Sequence, residues 1–141
     1  MTTITATKTK TRRTARRPRP TVWTLDLSNM ANCGSQQAGA ARAIAAKLGA
    51  ASDIDHIRNA SAKAIYVHRV TFAADADTIA TIQLLLPAFI GAALDAADKA
   101  AAELRSELTA QGIKGARLER HCAHLRRCTI AQAGAELADA L

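Results

Sequence analysis

Through residues 21–27 apolar and polar side chains alternate, with Trp23, Leu25 and Leu27 on one side, and this period of two predicts a strand. The next segment, SNMANCG at 28–34, has the composition of a turn. Ser35 then stands where a helix over 36–48 needs its N-cap, and Gly49 where such a helix most easily ends. Residues 53–58 and 63–72 read as two more strands joined near 59–61, the second of them, KAIYVHRVTF, being the clearest in the chain. Asp75 and Asp77 mark the start of a long helix, since carboxylates suit the positive end of a helix dipole. That helix is expected to run to about Gln111, before Gly112. Pro87 is expected to kink or divide it, because proline has no N–H to donate and its ring clashes with the preceding turn. A further helix is expected over 114–128, with Thr129 capping a last one to the C-terminus. There is no internal repeat.

These elements describe a mainly helical α+β domain, a small antiparallel sheet packed by a long kinked helix and C-terminal helices. With 141 residues the chain supports one core, and no second domain is expected. Alanine supplies 34 of them, so the helices have small faces and the core is thin. The large residues expected to fill it are Trp23, Leu25, Leu27, Tyr66, Val70, Phe72, Leu84, Leu86, Phe89 and Leu94. Between Asp77 and Asp95 lie 17 uncharged residues, just short of a membrane span. They include Gln83 and Pro87, and a buried core helix is the expectation, with no membrane involved.

Charge changes the picture more than composition does. The net charge is +7, and residues 1–20 hold seven cations (Lys8, Lys10, Arg12, Arg13, Arg16, Arg17 and Arg19) with no acid. Residues 21–141 hold equal numbers of cations and acids, so the excess belongs to the N-terminal arm. The arm has no apolar period and is expected to be disordered when free, leaving 21–141 as the single compact domain. Cations on a pliable chain are what phosphate contact requires, so nucleic acid or another polyanion is the expected partner. An acidic protein or lipid surface, a solubilising tail and an organellar transit peptide share this composition. Arg17-Pro18-Arg19-Pro20 resembles the AT-hook core of minor-groove tails, with Pro18 where that motif has glycine. The four aromatics, Trp23, Tyr66, Phe72 and Phe89, all fall at core-like positions, so no base-stacking platform is expected. Binding should therefore be directed at the backbone and weakly sequence-specific.

A second basic patch lies in 114–128. At 100° per residue Leu118, Cys122, Leu125 and Thr129 share a face expected to be buried. Arg117, His121, His124 and Cys128 form the neighbouring stripe, and Arg120 and Arg127 point away from the core. The spacings of His121, His124 and Cys128 suit a shared metal such as zinc. Arg117 in the same stripe and the lack of a fourth ligand weigh against it, and no metal or other cofactor is assigned. The three cysteines, an odd number with Cys122 and Cys128 six apart on one helix, exclude a disulfide framework and suit a reducing, cytoplasmic compartment. No signal-peptide apolar region follows the basic start.

Two Asp-x-Asp pairs, Asp53/Asp55 with His56 beside them and Asp75/Asp77, have the residue types of a Mg²⁺-dependent nuclease, or else serve as a strand edge and a helix cap. Gly34 and Gly39 have the glycine spacing of a phosphate loop, but Ala40 and Ala41 occupy the positions of its lysine and Ser/Thr. There is no Gly-x-Ser-x-Gly nucleophile elbow.

VTFAADADTI at 70–79 is similar to the strand-to-helix segment of a domain of unknown function found in actinobacterial and phage proteins. RRCTI at 126–130 is similar in place and length to the start of that domain's last helix, with Cys128 and Thr129 replacing serine and phenylalanine. In that family the domain follows a short helical module, whose place the basic arm takes here. The resemblance implies the order of elements over 36–141 and no activity. The expected function is thus a non-enzymatic accessory protein that binds nucleic acid or a nucleoprotein assembly through its arm. The alternatives are a structural component of a larger particle (virion or ribosome-associated) that threads the arm into a partner, and a metal-dependent nuclease.

Overall fold

The computed structural model describes residues 19–28, 33–58, 60 and 65–141. Three strands, β1 (Thr21–Ser28), β2 (Ala51–Arg58) and β3 (Ile65–Ala74), accompany three helices, α1 (Gly34–Lys47), α2 (Ala76–Ala110) and α3 (Gly115–Ala140). The sheet is antiparallel in the order β1-β3-β2, with Trp23 opposite Phe72 and Ile54 opposite Val70.

One face of the sheet carries Leu27, Val70 and Phe72, all buried, with Trp23 and Leu25 half-buried beside them. Trp23 stacks on Phe72 with ring centroids 5.8 Å apart. The opposite face is open and polar. Arg69 there donates to both carboxylate oxygens of Asp26 (2.8 and 3.0 Å), and Asp55 lies across from it on β2.

The buried face is covered mainly by α1 and by the first turns of α2, through Ala38, Ala41, Ile44, Ile79, Ile82 and Leu86. The fold is the mainly helical α+β domain with a small antiparallel sheet that the sequence predicts, and the long helix shares in the cover, but α1 adds to it where the sequence predicts the C-terminal helices. Instead α3 packs on α1 and α2. The small faces of α1 explain the difference, because they let one helix lie close to the sheet on one side and to α3 on the other. At that second contact a methyl group on Gly134 would overlap Ala40, so the two backbones approach only because residue 134 is glycine.

Other differences have equally local causes. Helix α1 starts at Gly34, so Ser35 lies inside its first turn, and its N-cap is Cys33 in the left-handed conformation (φ 52°, ψ 50°) with no side-chain cap. The turn is pressed against the sheet: a Cβ on Gly34 would stand 2.7 Å from the Ser28 carbonyl oxygen and 2.9 Å from His68 Cδ2. Asp75 caps α2 by accepting from the Thr78 N–H at 2.8 Å, and the helix ends just before Gly112, as the sequence predicts. Pro87 does not divide it, for α2 is continuous from Ala76 to Ala110. Pro87 and Gln83 are both exposed, so the missing bond falls on the solvent side, where the carbonyl left without a donor is open to water.

Thr129 starts no new helix, so one C-terminal helix replaces two. Its hydroxyl donates back to the Leu125 carbonyl at 2.8 Å and is accommodated within α3. Two expected core residues are exposed, Leu84 (80%) and Tyr66 (40%). Leu84 points away from the stripe of Ile79, Ile82 and Leu86, and Tyr66 sits near the shift in register between β2 and β3 at Ile57/Arg58. Among the described residues one helix, α2, is long and apolar enough to cross a membrane by length and composition. It buries only one stripe, continuing through Ala93, Ala97 and Ala101.

Candidate nucleic-acid interface

Six of the predicted contact residues, Lys8, Lys10, Arg12, Arg13, Arg16 and Arg17, lie outside the described residues. Arg19 is described, exposed and two residues ahead of β1. The remaining two, Arg120 and Arg127, are on α3, where the buried side is set by Leu118 and Cys122 against the end of α2 and by Ile130 against its middle. Both arginines are exposed. Seven residues of helix separate them, which places them on one side about 10 Å apart along the axis.

The other arginines of this helix pair differ in kind. Arg105 of α2 grips Glu119 of α3 with two hydrogen bonds (2.6 and 2.8 Å). Arg126 of α3 reaches Asp98 of α2 at 2.9–3.0 Å. Arg105 holds the Glu119 carboxyl below the usual carboxylate range, chiefly by its hydrogen bonds. Those contacts tie Glu119 and Arg126 to the helix seam. Among the described residues Arg117, Arg120 and Arg127 make no ion pair, so this exposed side is basic without a local acid to neutralise it.

The predicted stripe of Arg117, His121, His124 and Cys128 is exposed as read, and Leu118 and Cys122 are buried. His124 Nε2 and Cys128 Sγ are in hydrogen-bond contact at 3.4 Å. His121 does not join them: among the described residues no three metal-ligating side chains cluster. The carboxylates of the nuclease reading are likewise apart. Asp53 and Asp55 lie on the open sheet face, whereas Asp75 is occupied as the α2 cap.

Sequence reasoning missed one arrangement. His56 and His68 are opposite each other on β2 and β3, with ring centroids 5.1 Å apart and nearly perpendicular planes. His68 is 4% exposed, and among the described residues neither of its ring nitrogens has a hydrogen-bond partner. Burial, and then the neighbouring His56, push its pKa below the ordinary imidazole value of 6.5. Only the strand register brings these two residues together, and no spacing along the chain announces it.

No protein-family model, curated protein or solved structure matches the chain.

Proposed function

We propose that this chain is a non-enzymatic accessory protein that binds nucleic acid, or a nucleoprotein assembly, through residues 8–19, with Arg120 and Arg127 of α3 extending the contact. One observation carries the reading: the net charge of +7 is the charge of the first 20 residues, and the remainder is formally neutral. A chain folded for solubility alone has no need to collect its excess charge in one segment. The second support is the contrast on α3, where Arg126 serves the fold while Arg120 and Arg127 face outward without acids. Such arginines offer phosphates a charge that no internal partner already satisfies.

One stripe of the apolar run of α2 belongs to the core, where Ile82 and Leu86 are fully buried against the sheet. The reading places the protein in the cytoplasm or within a nucleoprotein particle. The test is a gel-shift assay on duplex DNA with the full chain and with a chain beginning at Thr21. The shorter chain should bind far more weakly, and equal binding would remove the arm from the account.

A further inference from the structure

Cys128 and His124 meet on the exposed side of α3, away from every contact that holds the helix in place. They are four residues apart, the spacing that sets two side chains side by side on a helix. Their donor atoms, Sγ and Nε2, are 3.4 Å apart. Zinc bonds of about 2.3 Å to sulfur and about 2.0 Å to nitrogen, opened to the tetrahedral angle, put these atoms roughly 3.5 Å apart. The two side chains therefore already stand at the bite of a tetrahedral metal ion. They also stand far from either end of a 26-residue helix, so the backbone between them is fixed and little order remains to be imposed on binding.

We infer that His124 and Cys128 form a bidentate thiolate–imidazole site for a zinc-class metal ion. Binding replaces the thiol proton, which leaves to solvent as the Zn–S bond forms, and the imidazole supplies its neutral Nε2 lone pair. Solvent fills the remaining positions. No third His, Cys, Asp or Glu is within reach among the described residues, and Arg127 adds like charge nearby. Affinity is accordingly weaker than at structural sites with four protein ligands. The inference is independent of the nucleic-acid reading, since neither residue belongs to the proposed phosphate contacts.

The test uses the full chain, reduced with a phosphine, titrated with Co²⁺ and then with Zn²⁺. The expected result is a saturable near-ultraviolet thiolate-to-cobalt absorption that Zn²⁺ abolishes. Cys128→Ser should remove the absorption, and His124→Ala should weaken binding at least tenfold. His121→Ala and Cys33→Ser should change the affinity less than twofold. His121→Ala, His124→Ala and Cys128→Ser should keep the wild-type circular dichroism spectrum, since these three side chains are exposed, whereas Cys33 packs beside Ile130 and its variant is compared at matched folded fraction. No thiolate absorption in the wild type would overturn the site, as would its persistence in Cys128→Ser. Loss in His121→Ala or Cys33→Ser as severe as in His124→Ala would overturn the assigned ligand pair.

Discussion

The two sides of α3 use the same residue types for opposite ends. On the side facing α2 and α1, Leu118, Cys122, Ile130 and Gly134 are buried, and Arg126 is bonded to Asp98 across the seam. On the outer side Arg117, Arg120, His121, His124, Arg127 and Cys128 are exposed and contribute nothing to packing. An arginine is thus structural or available according to which side of one helix it occupies. Substitutions on the two sides should separate stability from binding.

The largest stability effect belongs to Ile130, which is fully buried between α2 and α3. Ile130→Ala should lower unfolding stability by about 2–5 kcal/mol in a urea titration, through lost burial and the cavity left behind. Gly134→Ala adds a methyl group where Ala40 already stands, and should cost about 1–3 kcal/mol by the same measurement. Neither should change the DNA affinity of the folded fraction. A loss of affinity without a loss of stability in either variant would erase the distinction between the two sides.

A smaller effect, in pH rather than in sequence, comes from His68. Its pKa is depressed in the folded chain, so the unfolded chain takes up a proton first as pH falls. Stability is therefore undiminished above the ordinary imidazole value of 6.5 and declines as pH drops below it. Asp26, Asp75 and Glu119 are also depressed, by Arg69, the Thr78 N–H and Arg105 respectively. Their contribution is present above their ordinary values of 3.8 and 4.5, and is lost as pH falls further through their folded values. Thermal melts should show a first decline below pH 6.5 and a second in the carboxylate range. His68→Gln should abolish the first and keep the second; an unchanged first stage would assign it to another group.

How much of this was legible depends on whether each cause was local. The start of α2 was, because Asp75 and Thr78 carry the cap within three residues, and so was its end at Gly112. The exposed stripe of α3 was readable from helical periodicity alone. The start of α1 was not: Ser35 is a good capping residue, but the helix begins earlier because Gly34 must fit between Ser28 and His68, a tertiary contact. Thr129 misled for a related reason, since a threonine hydroxyl bonds within a helix as readily as it caps one. The burial of His68 and the free state of Arg120 and Arg127 depend on strand register and on helix neighbours. Helical periodicity already turns Arg127 away from the core, but the pairing of Arg126 with Asp98 depends on the neighbouring helix.

The outer side of α3 should show the reverse of Ile130 and Gly134. Arg120→Ala with Arg127→Ala should leave the urea midpoint unchanged and make the salt dependence of DNA binding shallower by up to about 2 in slope. Arg105→Ala should leave the salt slope unchanged and lower the urea midpoint only slightly, because its pair with Glu119 is on the surface and such pairs contribute little.

The most direct test of the central claim is a salt titration of the full chain on two unrelated duplexes of equal length, followed by fluorescence anisotropy. Each engaged cation releases a counterion and contributes about −0.9 to the slope of log affinity against log salt. With the arm's seven cations engaged, the slope should approach about −6, steepening toward about −8 with Arg120 and Arg127, and the two duplexes should bind alike. A slope near zero, or a strong preference for one duplex, would contradict a phosphate-neutralising arm.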